Sequence, residues 1–398
     1  MLKREIEQWL EEGKFQPEDM MPTEHEIAAR YAMSRQTVRQ AIGDLVNDGL
    51  LYRVQGKGTF VAKSRERTAA AVPGVQTIGM VTTYISDYIF PHIVRGAEAE
   101  LRSRGCRLLL SSTDNDKSKE RDSLIAFLEQ PVSGLIIEPT KSAQGNPNLD
   151  LYLELQRRGT PIVMINERYP ELSLPCLKMD DEAGGRRAAE HLIRLNHRVI
   201  AGFFKTDDLQ GVHRLKGYMR ACGDNRLSLR PELVTTYSTE EKNEKPLAAA
   251  RRLLTQENPP TAFVCYNDEL AVALLDVARD LGISVPEQLS IIGFDDSPLA
   301  AASSVKLTTL AHPKAEMGAR AASMILGMLA GPQPEPGADA ANAGAATGDG
   351  ATTGDGATTG DGAATGAGGD TAACMRGDVV YQPELIVRES TILCPTIR

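Results

Sequence analysis

The chain has 398 residues, 42% hydrophobic and 24% charged, with a formal net charge of −9; at roughly 150 residues per domain this is material for two or three ordinary globular domains. No run of about 18 apolar residues occurs and the N-terminus lacks an apolar leader core, so the expectation is a cytoplasmic protein with no membrane partner. The net negative charge argues against nonspecific binding of nucleic acid by the surface as a whole. The six cysteines (Cys106, Cys176, Cys222, Cys265, Cys374, Cys394) form no Cys-x-x-Cys clamp, and the six histidines show no metal spacing, so neither metal nor cofactor is expected.

Residues 1–63 read as helix, helix, helix, hairpin. Charge is unevenly spread in this region. Residues 1–33 carry four basic and eight acidic side chains, whereas 34–67 carry seven basic and three acidic, a local excess that points to a polyanion partner. Thr23 and Glu26 have capping-box spacing ahead of one helix, and Ser34 is an N-cap for the next. Behind Ser34, Val38, Ala41, Ile42 and Leu45 recur at helical spacing as one buried stripe. The opposite face carries Gln36, Arg39, Gln40 and Gly43, with Arg35 on its flank; Arg and Gln pair bidentately with guanine and adenine edges. Two short apolar runs then flank Gln55-Gly56-Lys57-Gly58, a basic, glycine-rich hairpin tip. Tight helix pair plus hairpin is the winged helix-turn-helix plan, which places its second helix in the major groove of DNA.

Residues 64–76 lack periodicity, end in Pro-Gly, and read as a linker to the domain at 77–398. From Thr77 short apolar runs alternate with helical patterns. Strands are expected at 78–82, 107–110, 134–138, 161–166, 199–204, 262–266 and 289–294. Helices are expected at 93–104, 120–130, 149–158, 182–195, 210–222, 247–255, 270–281 and 316–329. This alternation means parallel sheet with helices on both faces. It is too long for one sheet, so two lobes are expected, the first at about 77–170 plus 298–330 and the second at about 171–297 plus 377–398. Residues 331–376 contain Pro-Gln-Pro-Glu-Pro and two copies of Gly-Asp-Gly-Ala-Thr-Thr, a low-complexity insertion expected to be disordered.

The string Pro-Thr-Glu-x-Glu, Ser-Arg-Gln-Thr-Val-Arg-Gln-Ala-Ile and Gln-Gly-Lys-Gly-Thr-Phe-Val resembles the GntR family of winged-helix repressors over about residues 1–63. The resemblance implies contacts to double-stranded operator DNA from Arg35, Gln36, Thr37 and Arg39 on the recognition helix and from Gln55, Gly56 and Lys57 on the wing. Glu24 fits either acceptance from a cytosine amine or a plain complement to the helix dipole.

In the larger domain, four segments put polar side chains just past the carboxyl ends of strands, where ligands of open α/β sheets bind. Carboxylates, amides and an arginine among Tyr and Phe faces suit a sugar. Asn267 and Asp207 also sit where helix N-caps belong. Arg-Leu-x-Gly-Tyr, Asn-Asp-x-x-Ala, Gly-Phe-Asp-Asp and Leu-Thr-Thr-Leu-x-x-Pro resemble the LacI/GalR effector domain, itself similar to periplasmic sugar-binding proteins. The implied fold is α/β: an N-terminal winged helix-turn-helix plus a two-lobed, periplasmic-binding-protein-like effector domain. By matching position Arg214, Asn267 and Asp295 are the first ligand contacts, with Asp87, Tyr88, Glu138, Asn166, Lys205, Gln210 and Tyr266 lining the same cleft. Residues 81–91 and 138–143 resemble the arabinose-responsive branch of these repressors.

The resemblance therefore implies a homodimeric transcriptional repressor on a palindromic operator, released by a small sugar with L-arabinose first. Its rival is a repressor of the same build that senses another sugar or a purine. A sugar receptor or a sugar-converting enzyme are the readings from other classes. The second is disfavoured because no Gly-x-Ser-x-Gly elbow or phosphate loop is present and no histidine is assigned a catalytic role.

Overall fold

The computed structural model describes residues 6, 9, 14–15, 19–31, 33–47, 51–54, 58–61, 76–330 and 377–394. The expected linker at 64–76, apart from Gln76, and the expected insertion at 331–376 lie outside the described residues. Two compact units divide at Val75 and Gln76.

In the smaller unit, α1 (Glu24–Tyr31) and α2 (Arg35–Asn47) precede the antiparallel hairpin β1 (Leu51–Val54) and β2 (Gly58–Val61). The capping box forms: Thr23 N–H donates to Glu26 Oε2 at 2.8 Å and Glu26 N–H to Thr23 Oγ1 at 3.3 Å. Ser34 Oγ accepts from Thr37 N–H at 3.1 Å and starts α2. Val38, Ile42 and Leu45 are buried on a core with Trp9, Ile27, Leu51 and Val61.

The larger unit contains two parallel sheets. The six-stranded sheet has the strand order 379–381, 176–179, 162–166, 134–137, 77–82, 107–112, and the four-stranded sheet 290–292, 262–265, 200–205, 234–237. The first lobe holds β3 (Thr77–Thr82), α3 (Phe90–Ser103), β4 (Arg107–Ser112), α4 (Lys117–Glu129), β5 (Gly134–Ile137), α5 (Leu149–Arg157), β6 (Ile162–Asn166), β7 (Cys176–Met179), α11 (Lys314–Ala330) and β13 (Val379–Tyr381). The second holds α6 (Asp181–Arg194), β8 (Ile200–Lys205), α7 (Leu209–Asp224), β9 (Val234–Tyr237), α8 (Lys245–Leu254), β10 (Ala262–Cys265), α9 (Asp268–Asp280), β11 (Ser290–Ile292) and α10 (Pro298–Ala302), with β12 (Thr309–Ala311) paired to β14 (Glu384–Ile386) beside it. Runs such as Leu135-Ile136-Ile137 are buried throughout, as strands covered by helices on both faces must be. Among the described residues no helix is long and apolar enough to cross a membrane.

This corrects the expected lobe boundaries. Residues 176–179 pair with β6, and β13 pairs with β7, so both belong to the first sheet. Residues 298–302 go the other way, since Ala300 is buried in the second lobe's core with Leu274 and Ile291. Strand β7 was hidden because it is four residues long, follows Pro175 and has a lysine in mid-strand. Strand β9 was hidden by Thr235 and Thr236 at a sheet edge.

The chain crosses between lobes three times, near 180, 293–313 and 382. Lys314 Nζ binds the second crossing, donating to the carbonyls of Asp295 and Asp296 at 2.6 and 2.8 Å. Helices α6 and α7 pack backbone on backbone: a Cβ at Gly185 would overlap the Arg214 carbonyl, and one at Gly217 the Glu182 carbonyl. That contact sets where the Arg214 side chain leaves α7.

Candidate functional site

The smaller unit presents two of the recognition-helix candidates plainly. Arg39 and Thr37 are exposed on α2, away from the buried Val38 and Ile42, and Thr37 Oγ1 lies 2.8 Å from Ser34 Oγ. Glu24, Arg35 and Gln36 have their backbones in α1 and α2, but their side chains lie outside the described set, and Gln55, Gly56 and Lys57 lie outside the described residues altogether.

In the larger unit a cavity of about 280 Å³ lies between the lobes at the carboxyl ends of both sheets. That is just under the ~300–1,000 Å³ of typical small-molecule sites. All ten candidate ligand residues line it. Asp87 and Tyr88 follow β3, Glu138 follows β5, Asn166 ends β6, Lys205 ends β8, Gln210 and Arg214 lie on α7, Tyr266 and Asn267 follow β10, and Asp295 follows β11.

Arg214 is the hub of the second lobe's wall. It is 5% exposed, and its Nε donates to Asp181 Oδ1 at 2.8 Å, Nη1 to the Tyr266 carbonyl at 2.7 Å and Nη2 to Asp295 Oδ1 at 3.4 Å. Its guanidinium carbon stands 3.6 Å from the Phe294 ring centre. Three of its five N–H groups are thus engaged and two remain. Asp295 Oδ2 accepts from the Tyr88 hydroxyl at 2.8 Å, a bond that reaches across from the first lobe. Asn267 is both N-cap and wall: its Oδ1 accepts from Leu270 N–H at 3.0 Å, which leaves its NH₂ as the unused donor. The cap expected at Asp207 falls one residue later, where Asp208 Oδ1 accepts from Gly211 N–H at 2.8 Å. Asp207 turns instead to Thr239, accepting from its N–H at 2.9 Å.

The first lobe's wall is a chain of polar groups. Glu138 accepts from Thr83 N–H and Oγ1 at 2.9 and 2.7 Å and from Asn166 Nδ2 at 2.7 Å. Asn166 Oδ1, turned the other way, meets His312 Nε2 at 3.0 Å. Because Asn166 donates to Glu138, its oxygen must accept, so His312 carries its proton on Nε2. Asp181, Asp208 and His312 line the cavity without having been picked out in the sequence. His312 follows β12 and precedes Pro313, so the strand-end signal that marked Asp295 was present there too. Asp181 opens α6 and reads as a helix-start carboxylate.

Burial sets the charges. It pushes the Glu138 carboxyl above its usual range against the hydrogen bonds from Thr83 and Asn166. It pushes the Asp181 carboxyl up to about 7 against the pull of Arg214. For Lys205 burial works to lower the ammonium, but the Asp208 and Asp207 carboxylates outweigh it and hold it above its usual range. Burial pushes His312 down to about 4, so it is neutral at pH 7.

His312 gives a pH prediction. Its folded value lies below the ordinary 6.5, so the native state binds fewer protons there than the unfolded chain. The stability it contributes is whole above pH 6.5 and is lost as pH falls toward 4. At ~1.4 kcal/mol per unit, the wild type should lose about 2–3 kcal/mol relative to His312→Phe between pH 7 and 4.5. Urea unfolding of both proteins at the two pH values measures this; parallel pH curves would mean that His312 is not held neutral.

Two sets of relatives bear on the site. Residues 1–61 match the bacterial regulatory proteins of the gntR family, and residues 189–341 match the periplasmic binding protein-like domain. The arabinose metabolism transcriptional repressor of Geobacillus stearothermophilus is 50% identical over 392 residues, covering 98% of this chain and 96% of that one. Its namesake from Halalkalibacterium halodurans is 47% identical over 327 residues, covering 82% and 87%. Among solved structures, transcription regulator CcpA of Lactococcus lactis matches with a TM-score of 0.61 at 22% identity over 80% of this chain and 99% of that one. The transcriptional regulator CelR–cellobiose complex matches with a TM-score of 0.61 at 21% identity, covering 93% and 100%.

Proposed function

Since the chain belongs to the family of arabinose metabolism transcriptional repressors, with a GntR-type DNA-binding head on a LacI-type effector body, we propose that it holds a palindromic operator as a cytoplasmic homodimer until L-arabinose enters the interlobe cavity. The observation that carries this reading is the cavity itself. It is small, it is walled by polar side chains with aromatic rings among them, and it has Arg214 and Asp295 buried in its wall. A pentose offers hydroxyls to bond and C–H faces to stack on Tyr88 and Tyr266.

DNA contact belongs to Arg35, Gln36, Thr37 and Arg39 on α2 and to Gln55, Gly56 and Lys57 on the wing, with Glu24 at the start of α1. Sugar contact belongs to Arg214, Asn267 and Asp295, supported by Asp87, Tyr88, Glu138, Asn166, Lys205, Gln210 and Tyr266. In sequence the head is followed, after the expected linker at 64–76, by β3, a strand of the first lobe. Sugar that closes the lobes shifts the first lobes of a dimer against each other, and two heads must stay about one helical turn apart, or a multiple of it, to hold two half-sites.

Thermal unfolding against a panel of sugars tests the ligand. A ligand at 100 times its dissociation constant stabilises by ~2.7 kcal/mol. L-arabinose should give the largest rise in melting temperature among pentoses, hexoses and purines; a larger rise with a purine would replace the sugar reading.

A further inference from the structure

Residues 138–143 form the loop after β5, and its first two residues, Glu138 and Pro139, line the cavity. Thr140 stays bonded within the first lobe, to Glu120 and Thr113, but Lys141, Ser142 and Ala143 reach across to the second. Ser142, 2% exposed, accepts through Oγ from the N–H of Leu209, the first residue of α7, at 2.9 Å. The next residue, Ala143, donates its N–H to the Asp207 carbonyl at 3.2 Å. Lys141 pairs with Glu240, and its own N–H donates to Asn115 Oδ1 at 3.1 Å. Asn115 in turn donates through Nδ2 to Thr239 Oγ1 at 2.6 Å across the cleft.

The α7 N-terminus therefore has caps from two lobes. Asp208, on its own chain segment, takes the Gly211 N–H. The Leu209 N–H has its partner on the opposite lobe. A free first-turn N–H is one of the orphan donors every helix must satisfy, and here one of them is satisfied by a residue of the other lobe. Arg214 and Gln210 ride on the same helix.

We infer that Ser142 is a positioning residue for the ligand: it clasps the two lobes by capping α7 from across the cleft, and so sets how firmly the closed cavity holds its sugar. This rests on the reading of the cavity as a sugar site closed by lobe movement. Opening the lobes breaks the Ser142 bond, and closing them makes it. The clasp therefore acts on the closed state and on the escape of sugar from it, without a side chain on the sugar.

The test uses the full-length protein with L-arabinose as the probe, in calorimetry and in stopped-flow release. Ser142→Ala removes the acceptor and Ser142→Thr keeps it. Loss of a side-chain cap corresponds to an affinity change of about threefold to thirtyfold. Ser142→Ala should weaken L-arabinose by that factor through faster release, with association unchanged, while Ser142→Thr stays within twofold of wild type. Operator affinity without sugar should not fall in either variant, which a misfolded protein would not satisfy. Wild type and Ser142→Ala binding the sugar within twofold of each other would overturn the clasp. Equal losses in the alanine and threonine variants would overturn it too. No saturable binding of L-arabinose to the wild type would instead bring down the sugar reading, and the clasp with it.

Discussion

Arg39→Ala should cost at least about thirtyfold in operator affinity. A bidentate side-chain contact to a base is worth ~1–3 kcal/mol, and the proposed homodimer on a palindrome would use it twice, putting ~2–6 kcal/mol at stake. Arg39 stands exposed on α2, on a helix whose other face is anchored by Val38, Ile42 and Leu45. Truncation at Cβ should therefore leave the head folded. The loss should be confined to the operator, with binding to unrelated DNA nearly unchanged. Lys57→Ala should behave differently. A phosphate contact carries no sequence information, so that variant should weaken all DNA alike and reduce the salt slope by about one. Gel-shift titrations with operator and scrambled duplex separate the two; an Arg39→Ala protein within twofold of wild type on operator would remove α2 from the groove.

Arg214→Ala should abolish the response to sugar and also weaken the body. The guanidinium is tied to Asp181, to Asp295 and to the Tyr266 carbonyl, all within a buried cluster. Removing the cation leaves the two carboxylates buried without it, a one-sided break that costs ~3–5 kcal/mol of stability. Truncating a buried, hydrogen-bonded charge at a binding site costs 2–5 kcal/mol, so sugar affinity should fall by at least about thirtyfold. Asp295→Asn keeps the shape and one acceptor for Tyr88, and should lose sugar affinity with a much smaller loss of stability. Urea unfolding combined with calorimetry reads both effects. An Arg214→Ala protein that still leaves its operator at wild-type sugar concentrations would show that this residue does not hold the ligand.

Much of this was legible because the signals are local. Thr23, Glu26 and Ser34 announce helix starts through bonds three residues long, and the bonds form as the spacing requires. The strand-end polar residues converge because parallel sheets deliver every carboxyl end to one edge, so Glu138, Asn166, Lys205 and Asp295 needed only their strands to be found. What was hidden depends on partners distant in sequence. Strand β7 is a strand because β6 and β13 flank it, and β13 lies some 200 positions downstream. Which of Asp207 and Asp208 caps α7 depends on Thr239, which claims the first. At Asn267 the cap forms through Oδ1, and the amide nitrogen is left for the proposed ligand contact. The role of Ser142 was invisible for the same reason: its partner, Leu209, belongs to the other lobe.

One small sugar in the interlobe cavity is proposed to release the head from its operator. Titrate labelled operator with the full-length protein, with and without millimolar L-arabinose, at fixed salt. Coupling between two sites of this kind is typically 1–3 kcal/mol, and it is reciprocal, so operator must weaken sugar binding by the same factor. Operator affinity should be at least about fivefold lower with L-arabinose, sugar affinity should fall equally on operator-bound protein, and Arg214→Ala should show no shift. Wild-type titration curves that superimpose with and without the sugar would contradict it.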